Sequence, residues 1–448
     1  MAGKSRISLI AAVAFAVSLC ATTVLRAQTL IRDAEIEYSL RELARPILNA
    51  AGLSPDRVQI LVLKDDDLNA FIVDTRHIFI NSGLIRRMDN AAMLQAVIAH
   101  EAAHIANGHI TRRFANMRSA RTAAGLGALL SAAVAATGNS RAAAGVLAGS
   151  IGSSQRVLFS HTRSEENSAD QSGARFMSQA GVDPQAMVEV LEIFRGQEAL
   201  STSRQDPYAR THPLSRDRLR AARGYAAAYA PQRAPDEGTE YWFQRARGKL
   251  EAFIGNPQRT LRRLRRADAS SLVLMQRAVA YHRMPDAAKA VQTVNALVGA
   301  RPNDPYAHEL RGQILFESRQ FGAAVNAYAQ AVNLSPNQPL ILAGYGRALL
   351  ALDTADGNRR ALQVLERARA RDPQQPRMLR VLAVAYAKNG NNGMASLATA
   401  ERYALLGRME DAEVHATRAS GLLPRGNPGW TRAQDVLLAA QAAANQRR

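Results

Sequence analysis

An H-E-x-x-H sequence, His100 to His104, constrains this chain more than any other stretch. It ends an apolar helical run, and positions i and i+4 of an α-helix lie on one face, so the two imidazoles can bind one metal ion. Glu101 is rotated by about 100° from His100 on such a helix and can accept a proton from a metal-bound water. This arrangement is typical of a zinc peptidase. A buried helix with two hydrogen-bonded histidines is the alternative.

A second predicted helix supplies the carboxylate that such a site still needs. It begins within the segment from His161 to Asp170 and runs to Gly181, and Glu166 and Asp170 are four positions apart, on one face. Glu166 can complete a His, His, Glu zinc site with water as the fourth ligand, while Asp170 can orient a ligating imidazole from behind. A lone pair of this kind is usually surface charge, so the assignment depends on the preceding motif.

The first 27 residues have the pattern of a cleavable signal peptide. Lys4 and Arg6 precede an apolar stretch from Ile7 to Ala21, and Ala27 offers a cleavage point. An uncleaved anchor and a lipoprotein modified at Cys20 are the alternatives. Because Cys20 is the only cysteine, the mature chain would have no disulfide, and zinc would need His, Asp or Glu ligands. Export without disulfides is compatible with a bacterial periplasm.

The chain is strongly basic, with a formal net charge of +19. Loss of Lys4, Arg6 and Arg26 with the signal peptide would leave about +16. A basic exported protein is attracted to anionic lipid surfaces, through peripheral membrane contact, or to acidic partners, although a solvated surface is the simpler explanation. The densest run, five arginines between Arg259 and Arg266, lacks interleaved aromatic residues. Nucleic-acid binding is therefore not predicted.

Ahead of the motif, the sequence predicts one helix and three short strands. Residues 33–51 have the periodicity of an amphipathic helix, and residues 58–63 have that of a strand. Residues 71–73 and 78–80 predict a hairpin. One of its strands could receive an extended substrate by strand addition beside the zinc helix. An ordinary structural hairpin is the alternative.

Residues 122–155 carry one charge, at Arg141, and are rich in alanine, glycine and serine. Such residues insert weakly into membranes. We therefore predict a mobile, partly helical lid or a membrane-facing hairpin next to the site. An internal helix pair and a transmembrane hairpin are the other interpretations.

Beyond a proline-containing linker at residues 231–238, the chain is helical and periodic up to residue 448. The unit from Tyr306 to Pro336 has the small-and-aromatic pattern of a tetratricopeptide repeat, and Pro302 recurs thirty-four residues later as Pro336. Less regular units are predicted at residues 272–301, 340–372 and 378–424. Stacked helix pairs of this kind offer a concave surface to a protein partner.

Three segments resemble the HtpX-like, CAAX-prenyl-protease type of zinc metallopeptidase. They read NSGLIRRMDNAAMLQAVIAHEAAHIANGH, TRSEENSAD and HPLSRDRL. Together with the signal peptide and the repeats they resemble the periplasmic, repeat-bearing branch of that family, the BepA type, over almost the whole chain. The resemblance implies one zinc ion per chain, bound by His100, His104 and Glu166, with Glu101 as the catalytic base.

The resemblance also draws attention to His212, because a His-Pro segment follows the peptidase helices in this family and its histidine can approach the metal. His212 could stabilise the oxyanion or occupy the water position in a closed, inactive state, and Arg216 could support an adjacent carboxylate. A turn histidine before a helix is the structural alternative. His109 lies about 140° from His104 on a continuing helix and is not expected to be a ligand.

We therefore expect an α+β fold. A zincin-type (gluzincin) metallopeptidase domain at residues 28–230, mostly helical with a small β-sheet, would precede an all-α tetratricopeptide-repeat solenoid at residues 239–448. By resemblance, the protein would be a periplasmic zinc endopeptidase acting on unfolded proteins, in particular misassembled or stalled outer-membrane β-barrel proteins. Its repeats would dock on these clients or on the β-barrel assembly machinery. The alternative is a repeat-based chaperone or assembly factor whose zinc site is plugged or silent.

Overall fold

The computed structural model describes residues 29–112, 162–201, 204–232, 234 and 238–445. The predicted signal peptide, the predicted lid at residues 122–155 and part of the predicted linker lie outside the described residues. Elements are numbered below in chain order within the described part. The described strands and helices of the first half are β1 (Thr29–Ile31), α1 (Ala34–Ala50), β2 (Gln59–Lys64), β3 (Ala70–Ile72), β4 (His77–Asn81), α2 (Ser82–Arg87), α3 (Ala91–Ala106), α4 (Arg163–Ala180), α5 (Gln185–Ile193), α6 (Pro207–Thr211) and α7 (Arg216–Ala228).

The four strands form one mixed sheet in the order β1-β2-β4-β3. β2 and β4 run parallel, and β3 pairs with β4 in the antiparallel sense with Phe71 opposite Phe79. The predicted hairpin is therefore present, and β3 lies at an edge of the sheet. Every residue of β3 and β4 is buried.

Helix α3, which carries the motif, is central to the first half of the molecule. Apolar residues occur on every side of it, as expected for a helix covered on all sides, and all but two of its residues are buried. Asn90 caps its start by accepting a hydrogen bond from the Met93 amide. Beyond its end the chain turns at Gly108, whose φ is +70°, a conformation that favours glycine.

Helix α4 packs closely against α3 because small residues face each other at the contact. A side chain at Gly173 would meet the backbone of Ala99 at 3.4 Å, and Ala103 and Ala169 are fully buried in one cluster. A capping box between Thr162 and Glu165 fixes the start of α4. The first turn of α4 is thereby held beside the last turns of α3.

The second half of the chain is an array of helices. They are α8 (Thr239–Ile254), α9 (Pro257–Leu264), α10 (Ser271–Arg283), α11 (Ala287–Ala300), α12 (Pro305–Glu317), α13 (Phe321–Leu334), α14 (Pro339–Leu350), α15 (Ala355–Arg371), α16 (Pro376–Lys388), α17 (Asn392–Leu405), α18 (Met409–Leu422) and α19 (Pro428–Asn445).

Tyr328 shows why the repeat pattern pairs small and aromatic residues. Its ring, on α13, occupies the space where side chains at Gly312 and Gly344 would lie, 2.7 and 2.6 Å from their Cβ positions. The glycines of α12 and α14 therefore let three successive helices pack around one aromatic ring. This is the tetratricopeptide-type stacking that the sequence predicts.

Helix α8 joins the two halves. Phe243, Ala246 and Leu250 belong to the core of the first half. The ammonium of Lys249, fully buried, lies 3.0 Å from carboxylate oxygens of both Asp33 and Glu35 at the start of α1.

Two acidic residues of the solenoid complete this buried ionic cluster. Glu309 lies 3.7 Å from Lys249, and Asp304 lies 2.5 Å from Arg245. Arg245 also pairs with Glu35. Because carboxylates from α1 and from the solenoid share the same two cations of α8, the two halves are held in one geometry.

None of the helices in the described part is both long and apolar enough to cross a membrane.

Candidate metal centre

The two motif histidines lie on the last two turns of α3, and their Nε2 atoms are 3.1 Å apart. His100 is 3% exposed and His104 is fully buried. The one-turn spacing in the sequence is what places the two rings side by side.

Glu166, in the first turn of α4, brings its carboxylate to the same point. Its Oε1 lies 3.3 Å from Nε2 of His104, and its Oε2 lies 3.4 Å from Nε2 of His100. One turn further along α4, Asp170 accepts a hydrogen bond of 2.9 Å from Nδ1 of His100. Because Nδ1 of His100 donates to Asp170, Nε2 is the ring nitrogen that faces Glu166 and His104 and that would bind a metal ion in place of a proton.

His212, directly after α6, enters the same cluster from the opposite side. Its Nδ1 lies 3.2 Å from Nε2 of His100 and 3.1 Å from Oε1 of Glu166. Its Nε2 donates a hydrogen bond of 3.1 Å to the carbonyl oxygen of Ala70 in β3. A carbonyl only accepts, so Nε2 carries a proton, and Nδ1 is the ring nitrogen that faces the cluster.

These four side chains fit a divalent cation. Their ligand atoms all lie within 4.8 Å of one another, and the close pairs are separated by 3.1–3.4 Å. Ligand atoms bound at about 2.0–2.1 Å around a tetrahedral zinc ion are about 3.3 Å apart. Imidazole nitrogens with one carboxylate are ligands that zinc accepts readily.

The electrostatics of the cluster also favour a positive charge. Burial lowers the pKa of His100, but Glu166 and Asp170 outweigh burial and raise that pKa to about 10. Burial opposes ionisation of Glu166, yet Arg218, His212 and His100 together hold the pKa of that carboxyl well below its usual range. The carboxylate is therefore charged at neutral pH.

Glu101 lies beside the ligands without being one of them. It is fully buried, and neither carboxylate oxygen has a hydrogen-bond partner among the described residues. The nearest ion-pair contact is the ring of His212, whose Nε2 lies 3.4 Å from Oε1. Burial raises the pKa of Glu101, although His212 and His100 oppose that rise. A buried carboxylate without a partner is costly, and such a group is expected where a water proton is to be accepted.

Arg218, in α7, holds the two carboxylates of α4 from behind. Its Nε and Nη2 donate to Asp170 at 2.5 and 2.9 Å, and its Nη1 lies 2.6 Å from Oε2 of Glu166. The side chain is 2% exposed. The sequence pointed instead to Arg216, which is exposed. On α7 the two positions are about 200° apart, and only the packing of α7 on α4 decides which one faces inward.

His109 is the site residue that the sequence did not indicate. The turn at Gly108 returns the chain towards α3, and Nδ1 of His109 lies 2.8 Å from Nδ1 of His104. His109 is buried. It contacts Nδ1 of His104, whereas the other ring nitrogen of His104, Nε2, faces the cluster. The helix end at Asn107-Gly108 was the signal in the sequence that could have indicated this contact. If the helix ends there, the angle of about 140° between His104 and His109 on a continuing helix no longer applies.

The segment from Pro207 to His212 covers the outer edge of β3. The amide of Tyr208 donates to the carbonyl oxygen of Leu68 at 3.1 Å, and His212 donates to that of Ala70. The intervening carbonyl of Asn69 faces the other way, towards β4. Two of the outward carbonyls that a further strand would bond, those of Leu68 and Ala70, are therefore already occupied.

Residues 30–226 match the model of peptidase family M48. This part of the chain is thus an M48 domain, and the protein is a metalloprotease in which a mostly helical, zincin-like domain with a small sheet is followed by helical repeats.

Among named proteins, the chain is similar to the beta-barrel assembly-enhancing protease of Escherichia coli strain K12. The two are 26% identical over 404 residues, which cover 89% of this chain and 81% of that protein. The protein of the same name from Yersinia pestis is 24% identical over 401 residues, with 88% and 79% covered. Among solved structures, the TPR protein YrrB aligns with a TM-score of 0.32 and 16% identity over 38% of this chain and 89% of its own.

Proposed function

We propose that the protein is a zinc-dependent endopeptidase of the bacterial periplasm that degrades misassembled or stalled outer-membrane β-barrel proteins. The observation that carries the proposal is the convergence of His100, His104 and Glu166 beside the buried carboxylate of Glu101. The similarity to proteases named for β-barrel assembly supports the substrate class. The apolar stretch after Lys4 and Arg6 supports export.

In this proposal His100, His104 and Glu166 hold one zinc ion, and Asp170 and Arg218 keep the ligands in place. Zinc bound there would polarise the scissile carbonyl and make its water more acidic. Glu101 would accept a proton from the attacking water and pass it to the departing amine nitrogen. The buried setting excludes other waters, which strengthens each of these interactions.

The edge strand β3 is the proposed binding place of the substrate backbone. Once the segment from Pro207 to His212 has moved off this edge, an extended substrate segment added to β3 would bond the outward carbonyls of Leu68 and Ala70 and lie beside the ligands of α3. Strand addition recognises backbone more than side chains. Clients with unpaired strand edges, such as incompletely assembled β-barrels, suit this mode of binding.

A comparison of the unmodified protein with Glu101→Gln tests the activity. Both proteins, expressed from residue 28 onward, are incubated with an unfolded protein and their zinc content is measured. We expect the unmodified protein to cleave and the cleavage rate of the variant to be lower by at least about a hundredfold. Both proteins should retain zinc because the ligands are intact. Equal cleavage by the two proteins would refute the peptidase.

A repeat-based chaperone or assembly factor with a silent zinc site is the second candidate function. It is favoured by one observation, the position of Nδ1 of His212 in the cluster where water or substrate would bind. Absence of cleavage by both proteins, together with salt-resistant binding of the unfolded client, would support this candidate.

Release of the protein by osmotic shock without detergent tests the proposed location.

The solenoid is proposed to dock clients or the β-barrel assembly machinery. Its stacked helix pairs and its ionic attachment to α1 through Lys249 support a role in presenting proteins to the metal centre. Cross-linking from the solenoid in intact cells would identify the docked protein.

A further inference from the structure

A groove of about 730 Å³ crosses the solenoid from α14 to α16 and ends at α17. Its lining combines basic and apolar side chains, and among the described residues that line it none is acidic. The basic residues are Arg347, Arg377, Arg380, Lys388 and Arg402, and the others are Leu350, Ala351, Pro376, Val381, Val384 and Leu406.

One face of α16 sets the pattern of the groove. Arg377, Val381, Val384 and Lys388 follow each other at spacings of three or four residues, and Arg380 lies four positions before Val384. All five therefore lie on one side of the helix. The apolar pair therefore lies between cations at both ends. Val384 is 44% exposed, so its side chain is open to apolar groups of a partner lying in the groove.

Within the described part of the chain, most of these cations form no ion pair with a carboxylate. Of the five, only Lys388 has a carboxylate partner among the described residues, Asp353 at the rim. Arg402 lies against the ring of Tyr403, and Arg347 lies 4.2 Å from the centre of the Phe316 ring. The two rings hold the side chains of Arg347 and Arg402 in position. Arg347 also interacts at longer range with the carboxylates of Glu309 and Glu317, while Arg377, Arg380 and Arg402 form no ion pair within the described part of the chain.

We propose that this groove binds an extended polypeptide segment in which acidic side chains flank apolar ones. This deepens the proposed function, on which it rests, by naming the chemistry of the client segment that the solenoid holds. Carboxylates pair with the guanidinium groups of Arg377 and Arg380 at one end and with Lys388 at the other. The apolar side chains between them cover Val381 and Val384.

A segment with only acidic or only apolar side chains would not match the groove. A purely acidic partner would leave the exposed Val384 in water, and a purely apolar one would cover arginines without pairing their charge, which is costly. From Arg377 to Lys388 the helix rises about 16 Å. An extended chain spans that distance in about five residues, so a short segment reaches both charged ends.

The position of the groove connects it to the metal centre. Helix α14 forms one wall, and its Ile341 and Leu342 share a buried cluster with Ala34 of α1. Arg32, at the end of β1, pairs with Asp372 at 2.7 Å, just beyond α15. A segment held in the groove is therefore presented in a defined geometry relative to the peptidase domain.

The test uses the full mature chain carrying Glu101→Gln, so that binding is measured without cleavage. The probe is a fluorescein-labelled, amidated peptide with two acidic residues at each end and three valines between them, read by anisotropy. A second peptide has the acids replaced by their amides, and a third has the valines replaced by serines. Arg377→Gln/Arg380→Gln is compared with Arg418→Gln/Arg425→Gln, which removes the same charge from exposed positions outside the groove.

We expect the first peptide to bind, each altered peptide to bind at least about tenfold more weakly, and added salt to weaken binding. The groove variant should lose at least about tenfold in affinity, and the control variant should be unchanged. Equal binding of the acidic and amide peptides, or an equal effect of the two double variants, would overturn the proposal. So would binding of phosphatidylglycerol vesicles through Arg377 and Arg380 with no peptide binding. Failure of Glu101 to support cleavage would leave these peptide results unaffected.

Discussion

The ring of His212 contacts both the metal-binding cluster and the edge strand. Its Nδ1 is 3.1 Å from Oε1 of Glu166, while its Nε2 donates to the carbonyl oxygen of Ala70 at 3.1 Å. One side chain thus occupies the fourth ligand position and, with Tyr208, the free edge of β3. The geometry supports the closed-state role among the three that the sequence left open for His212.

Replacing His212 should raise peptidase activity. In His212→Ala the fourth ligand position and the carbonyl of Ala70 become available, and we expect cleavage of an unfolded protein to increase roughly three- to tenfold. Rates are measured by appearance of new amino termini. The double variant with Glu101→Gln should be inactive, which shows that the same centre is responsible. A lower rate for His212→Ala would indicate an oxyanion-stabilising role instead.

Removing Arg218 should destabilise the peptidase domain. Arg218→Ala leaves the buried carboxylates of Asp170 and Glu166 without their cation, a change that costs about 3–5 kcal/mol. Arg218→Lys should rescue only part of this, because one ammonium cannot replace a bidentate guanidinium. Thermal unfolding measures the effect. Arg216→Ala is the matched control, and its exposed side chain should contribute less than about 0.5 kcal/mol; equal effects of the two would contradict the buried assignment.

His109 should contribute to metal affinity through His104. When Nε2 of His104 binds a metal, its Nδ1 carries the proton and donates to Nδ1 of His109, which fixes the orientation of the ring. We expect His109→Ala to weaken zinc binding by about 10- to 100-fold in chelator competition. His109→Gln should recover part of the loss, since its amide oxygen can accept the same bond.

The control for His109 is His77→Ala, a nearly buried histidine that bonds Asp74 away from the cluster. It should leave zinc affinity unchanged. If His109→Ala and His77→Ala lowered the affinity equally, the effect would be one of general stability and the hydrogen bond would have no special role.

Stability should depend on pH through Glu309. Burial raises the pKa of Glu309 from 4.5 to about 7. The negative charges of Asp33 and Glu35 add to this rise, and the positive charges of Lys249 and Arg347 oppose it. The folded state therefore holds this proton more tightly than the unfolded chain. Protonation of Glu309 therefore adds up to about 3 kcal/mol to the free energy of unfolding. This contribution is complete below about pH 4.5 and is lost as the pH rises to about 7.

Glu309→Gln removes this titration. Relative to the unmodified protein, the variant should gain stability as the pH rises from 5 to 8, as measured by unfolding at each pH. Glu413→Gln, at an exposed position of α18, should show no such gain. A constant difference between Glu309→Gln and the unmodified protein across this range would contradict the assignment.

Local spacing accounts for much of what could be predicted. The pairing of His100 with His104, the pairing of Glu166 with Asp170 and the small-and-aromatic repeat around Tyr328 all follow from the periodicity of a single helix. Such periodicity is visible in the sequence because it relates residues at most a turn or two apart. The hairpin of β3 and β4 is local in the same sense.

Tertiary structure decided the rest. Whether Arg216 or Arg218 supports the carboxylates depends on how α7 packs against α4, and the contact of His109 with His104 depends on a turn at Gly108. His212 meets His100 across 112 positions of sequence, and Lys249 meets acids from both halves of the chain. The sequence by itself determined which helical faces carry ligands, because the backbone geometry of a helix is the same everywhere. Which faces meet is set by the packing of distant apolar surfaces, and no local spacing encodes that.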